Sequence, residues 1–297
     1  MRSTLHTILT KFSLVLVLGL SACASLFAPP STPTPAIPTS TPVPPTATPP
    51  PSVAKVNGEY ITAVEFQAEL ERYKLARTSL GLTVSEEEAN KTVLEDLIAQ
   101  VLLSQAAREA NFTLTESDLQ SRIDSLAESV GGAEALSAWQ SAHGYDDASF
   151  RLALQRSAEA AWMRDKIIAD VPTSMEQIHL RQILTYNEGD ARAALEELKA
   201  GTDFDALAAA YDTITFGELG WIPRGYLLDA KAEEAVFALQ AGQYSDIVAT
   251  EAGFHIFKAV ERGEQPLSPD ALLTAQELAL RNWVAEQRAQ GEIVLVP

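Results

Sequence analysis

The sequence predicts an α+β protein: a mostly helical module, then a small antiparallel sheet flanked by helices, then a closing helix and strand. Three observations carry this. From Thr62 to Ile168 apolar residues recur at helical spacing, and capping residues precede several of the runs. After Pro172 the pattern changes to short strand-like runs separated by three helical segments. Ahead of both, residues 28–52 are almost entirely Pro, Thr, Ser and Ala, with no charge and nothing to pack.

The 297 residues hold 40 acids against 22 Lys and Arg, a formal charge of −18. That balance argues against nucleic acid or an acidic membrane surface as a partner, and it favours solubility. The only thiol is Cys23, so an intramolecular disulfide and a multi-cysteine metal site are excluded. His6, His143, His179 and His255 are scattered, without metal-ligand spacing. No nucleotide-binding loop is present, so neither ATP nor any other cofactor is implied.

At the start, Arg2 and Lys11 precede a short apolar core, Phe12 to Leu20, too short to span a bilayer comfortably. It ends in Leu20-Ser21-Ala22-Cys23, which resembles the lipobox of bacterial lipoproteins. The resemblance implies cleavage before Cys23, acylation of its thiol and attachment to a membrane by lipid. Eleven of the sixteen prolines lie in 28–52. Such a segment favours extended polyproline II, so at about 3.1 Å per residue the stretch after Cys23 reaches about 90 Å as a tether.

In the body, Val53 to Gly58 reads as a strand running into an Asn-Gly turn. Thr62 caps a helix carrying Phe66, Leu70 and Tyr73. Ser85 with Glu86 to Glu88 opens a second, with Val93, Leu94, Leu97, Ile98, Val101 and Leu102 on one face. Thr115 starts a third, Gly131-Gly132 separates a fourth through Leu136 and Trp139, and Ala148 to Ile168 forms the fifth. Trp139, Trp162 and Trp283 lie on apolar helix faces; they read as core or, if exposed, as a groove that binds another polypeptide. This succession, with its opening VAKVNGEYIT and the stretch LEDLIAQVLLSQAAREANFTLTESDL, resembles the N-terminal domain of SurA- and PrsA-type foldases.

Beyond Pro172, His179 to Leu184 alternates as a strand. Asp190 to Ala200, Phe204 to Tyr211 and Ala232 to Leu239 are helical, and Ile247 to Ala249 and Phe254 to Val260 are strands. Gly201-Thr202-Asp203-Phe204-Asp205-Ala206-Leu207-Ala208, Gly217-Glu218-Leu219-Gly220-Trp221 with Arg224-Gly225, and Gly253-Phe254-His255-Ile256 occur in order. Together they resemble the parvulin (PpiC-type) class of peptidyl-prolyl isomerases. Pro269 to Gln290 is a last amphipathic helix before the strand Ile293 to Val296. The resemblance implies that this tail returns to the N-terminal module, pairing 293–296 with 53–56. The implied plan is a signal peptide over 1–22, a tether over 23–52, a helical chaperone domain over 53–175, an inserted parvulin-like domain over 176–262 and a returning segment over 263–297.

Rotation about an Xaa-Pro amide faces a barrier of about 18–20 kcal/mol, and no covalent bond has to break. A catalyst must bind the twisted amide more tightly than either planar isomer, which calls for an apolar slot and a polar network at the carbonyl. The parvulin resemblance implies two facing histidines, a Cys or Asp near the carbonyl and a Met/Phe pair for the ring. His255 falls on the second histidine, but Gln182 stands at the first, with His179 on the opposite strand face. Asp212 is the nearest polar group for the Cys or Asp position. Leu227 or Leu228 replaces the Met, and Ala232 stands where the Phe would be. Phe254 or Phe257 is available to compensate, and Trp221 packs under the site.

Two functions fit. One is an isomerase and foldase assisting the folding of secreted or envelope polypeptides. The other is an ATP-independent holdase whose parvulin domain has become a peptide-holding platform. The clients in both cases are unfolded or partly folded extracytoplasmic polypeptides. A lipid-anchored solute-binding protein would need two α/β lobes about a cleft, a pattern the sequence lacks.

Overall fold

The computed structural model of the chain describes residues 51–296. The signal segment, Cys23 and all of the tether except Pro51 and Ser52 lie outside these residues. Among the described residues no helix is long and apolar enough to cross a membrane.

β1 (Ser52–Val56) and β2 (Glu59–Thr62) form a hairpin around Asn57-Gly58. Both turn residues take positive φ, 48° and 92°, the geometry an Asn-Gly pair adopts at least cost. β7 (Ile293–Leu295) joins the free edge of β1, with Ala54 opposite Leu295 and Val56 opposite Ile293, so the chain's end closes a sheet begun at residue 52. The sheet buries Ala54, Val56 and Ile61 against α1 (Ala63–Ser79) and α2 (Glu86–Glu109).

α3 (Glu116–Val130), α4 (Ala133–Ala142) and α5 (Asp147–Ala169) complete the helical module. Thr62, Ser85 and Thr115 each accept from a first-turn N–H, and Thr115 and Asp146 form full capping boxes, so four of the five helices start where a side chain satisfies an orphan donor. Leu136, Tyr145 and Phe150 pack with Trp139 in a second apolar cluster, and Trp162 stacks on Phe112.

A buried ionic network ties α5 to the hairpin. Arg156, 3% exposed, donates to both Glu65 oxygens at 3.3 and 3.1 Å and to the Tyr60 carbonyl at 3.0 Å. One turn on, the buried Glu159 accepts from Ser104 at 2.5 Å and Arg108 at 2.9 Å, and Arg108 also pairs with Glu59.

The second body is a four-stranded antiparallel sheet in the order β4-β3-β6-β5. It comprises β3 (Ser174–Thr185), β4 (Glu218–Pro223), β5 (Val248–Thr250) and β6 (Gly253–Pro266), with α6 (Glu188–Lys199), α7 (Phe204–Tyr211) and α8 (Ala230–Ala238). Ile178, Leu180, Phe257 and Ala259 face α8, whereas Ile183 and Ile256 face α6 and α7. α9 (Pro269–Gln290) then packs on α5 and α2. Two strands are additions to the sequence reading. β2 is four residues long and runs directly into α1, and β4 carries Gly220 and Pro223, which obscure a strand pattern.

Candidate functional site

The site is built on the two central strands. Gln182 stands opposite Phe257 and Leu184 opposite His255, so Gln182 and His255 are diagonal neighbours on the face that α8 covers. His255 is 8% exposed, its ring stacked on Phe257 at 5.1 Å and 11°. Its Nδ1 lies 2.8 Å from Gln182 Oε1 and its Nε2 2.9 Å from Thr250 Oγ1. With the amide oxygen facing Nδ1, the proton sits on Nδ1 and Nε2 accepts from the Thr250 hydroxyl. The imidazole is thus neutral, with both nitrogens committed. The Gln182 amide nitrogen makes no hydrogen bond within the described residues and remains free to donate.

Thr250 reaches the ring because β5 and β6 are joined by a tight turn, in which Thr250 pairs with Gly253. Gly253 has φ 140°, and a Cβ there would meet the Thr185 carbonyl at 2.5 Å, so the turn needs glycine. On the other side, Gly217 accepts from the Gln182 N–H at 2.7 Å. A Cβ at 217 would lie 2.1 Å from the Gln182 carbonyl, so the 212–217 turn is pressed against the backbone of the site.

Burial of the ring holds the His255 pKa below the ordinary histidine value, against the opposite pull of the Asp229 carboxylate. The folded-state pKa lies below the unfolded value of about 6.5. The neutral ring's contribution to stability is therefore complete above about pH 6.5 and is lost as the pH falls through the folded pKa. An NMR titration of the His255 ring is expected to give a midpoint below 6.5; a midpoint above it would contradict this environment.

The remaining residues singled out in the sequence are distributed unevenly. Leu227 is half-buried and packs on the α8 face beside Ala232, whose small side chain is 5% exposed. Leu228 is fully exposed and lies outside the slot.

Three expected members do not join the pair. Asp212 is taken up by its own turn: Oδ1 accepts from Ile214 N at 2.9 Å and Thr215 N at 3.0 Å, and the Thr215 hydroxyl binds Oδ2. Those bonds, led by the Thr215 hydroxyl, lower its pKa to about 2. The carboxylate that acts on His255 is Asp229, the N-cap of α8. Phe254 is opposite Thr185 and Trp221 opposite His179, against which it stacks at 5.3 Å. Strand alternation turns both away from His255. Of the two candidate phenylalanines it is Phe257 that meets the histidine.

Sequence reasoning missed Thr250, Asp229 and Ser245. Buried Ser245 fixes the approach to β5 through its N–H to the Phe257 carbonyl at 2.8 Å and its Oγ, which accepts from Phe257 N at 2.9 Å. A hydroxyl five residues before a histidine, across a glycine turn, is the signal that could have found Thr250.

Comparison with known proteins places two domain families on this frame. Residues 45–147 match the SurA-like N-terminal domain, and residues 185–261 match the PPIC-type PPIase domain. The second match begins three residues after Gln182. Foldase protein PrsA of Caldanaerobacter subterraneus subsp. tengcongensis is 28% identical over 233 residues, covering 70% of this chain and 72% of that protein. PrsA of Geobacillus kaustophilus is 27% identical, over 59% of this chain and 64% of its own length. The periplasmic chaperone PpiD of Haemophilus influenzae is 40% identical over 94 residues, 30% of this chain and 15% of that protein. A crystal structure of PrsA from Bacillus cereus aligns over 79% of this chain and 85% of its own, with 17% identity and a TM-score of 0.43. The chain carries a SurA-like N-terminal domain and a PPIC-type peptidyl-prolyl isomerase domain.

Proposed function

We propose that the chain is an extracytoplasmic foldase that binds non-native polypeptides and accelerates rotation about their Xaa-Pro bonds. The observation that carries the reading is the Gln182–His255–Thr250 chain beside the apolar face of α8. A twisted prolyl amide loses resonance, and its carbonyl becomes a stronger hydrogen-bond acceptor. The free Gln182 amide donates to it, while His255 and Thr250 fix the orientation of Gln182 from behind. The half-buried Leu227, packed against the core that holds Phe257, receives the pyrrolidine ring. Binding that strengthens only on twisting is what lowers the barrier.

The foldase and periplasmic chaperone names of its relatives support the clients and the extracytoplasmic setting. Attachment through an acylated Cys23, with residues 23–52 as the tether, belongs to the same proposal, and its support is the lipobox-like sequence. So does the plan of a helical chaperone domain over 53–175, a parvulin-like domain over 176–262 and a returning segment over 263–297.

One observation favours the holdase alternative: with Ala232 in place of a large ring and Leu228 in solvent, the slot lacks a wall. Refolding of a proline-limited client separates the two. A foldase added at substoichiometric amounts speeds the slow phase. A holdase suppresses aggregation only near equimolar amounts and leaves that phase unchanged.

A further inference from the structure

The helical module contains a cavity of about 370 Å³ that the prolyl site does not use. Its floor is Leu97, Leu136, Trp139 and Phe150, and its outer wall is Leu126 and Val130 of α3. Its size lies at the lower end for small-ligand pockets, so it takes one or two large side chains rather than a folded partner.

α3 is poorly buried for an amphipathic helix. Of its 15 residues only Leu119 is buried, and Leu126 and Val130 stand 37% and 46% exposed. Leu126 also lines an adjoining open groove along α3, together with Leu154, Asp118, Arg122 and the serines at 121, 125 and 129. Those three hydroxyls donate to carbonyls of their own helix, so the serines present a small surface with their donors already used. The cavity and the groove share Leu126 and Leu154, so one extended chain can cross the groove and place a side chain in the cavity.

Charge selects the occupant. From Glu116 to Ala142 there are five acids and one arginine, a net charge of −4, on a chain whose total is −18. Asp118 and Arg122 line the groove itself and offset one another, and Glu116 pairs with Arg151. The excess negative charge is therefore that of the flanking Asp124, Glu128 and Glu134, which favours cationic segments over acidic ones.

Building on the reading that the chain binds non-native polypeptides, we propose that this cavity and groove are its client-binding site in the helical module. The occupant is an extended segment with a large apolar side chain in the cavity and lysine or arginine along α3 and α4.

The test uses the full chain and three fluorescein-labelled peptides of equal length. One has a Phe-Leu pair flanked by lysines, one has the lysines changed to glutamate, and one has the pair changed to serine. The lysine-flanked apolar peptide is expected to bind at least tenfold more tightly than either of the others. Leu126→Asp with Val130→Asp, at exposed positions, is expected to weaken it at least tenfold while leaving Xaa-Pro exchange unchanged. Asp124→Lys with Glu128→Lys changes surface charge alone and is expected to shift preference toward the glutamate-flanked peptide.

Equal binding by wild type and both variants would overturn the site while leaving the foldase reading intact. So would undiminished suppression of client aggregation by the Leu126/Val130 variant, or loss of self-association by that variant with peptide binding retained. A wild type that binds no peptide and suppresses no aggregation would instead remove the reading itself, and the site with it.

Discussion

Replacing Arg156 by alanine is expected to destabilise the helical module by about 3–5 kcal/mol, the usual cost of removing one partner from a buried ion pair. The guanidinium is 3% exposed and bridges Glu65 on α1, the Tyr60 carbonyl on β2 and Glu59. Its loss leaves the largely buried Glu65 carboxylate without its cation and the hairpin without its tie to α5. Against a typical total of about 5–15 kcal/mol, this is a large share. Arg156→Lys retains the charge but not the planar fork, and an intermediate loss is expected. The control is Arg164→Ala on the exposed Arg164–Asp165 pair, expected within about 0.5 kcal/mol of wild type. Urea unfolding followed by circular dichroism reads all three, and an Arg156→Ala loss no larger than the control would contradict the role given to the network.

The second large effect concerns catalysis. His255→Ala removes the acceptor of the Thr250 hydroxyl, the donor that orients Gln182 and the ring stacked on Phe257. Gln182 then loses its fixed orientation, so the amide donor is no longer held where the twisted carbonyl develops. A loss of at least about tenfold in catalysed exchange is expected, or about 1.4 kcal/mol of barrier. Thr250→Val leaves the Gln182 contact in place and removes only the bond to Nε2. A smaller loss is expected there.

The helices were legible because their starts carry local chemistry. Thr62, Ser85 and Thr115 are strong capping residues directly before apolar runs, and each one caps in the structure. The Asn57-Gly58 turn was legible for the same reason. What the sequence hides is long-range. Arg156 and Glu159 lie on an inward helix face, yet charged residues at helical spacing read as a solvated face. β4 is interrupted by Gly220 and Pro223 and appears as a strand only once β3 is beside it.

The candidate site divides along the same line. His255 and Gln182 were locatable from the strand motifs that carry them. Asp212 was misplaced because a gapped loop has no register, and its carboxylate finds donors inside its own turn. Phe254 was a candidate for the slot as the sequence neighbour of His255, and Trp221 was placed under the site by its parvulin-like motif, whereas alternation along β6 and β4 turns both to the other face. Thr250 needed the hairpin before its hydroxyl could be placed at the ring.

The most direct measurement is cis/trans exchange by NMR on short Xaa-Pro peptides, with the full chain and its His255→Ala variant. The account predicts enhanced exchange with wild type, reduced at least about tenfold in the variant under conditions where both remain folded. No enhancement over buffer across several peptides, or equal enhancement by the two proteins, would contradict it.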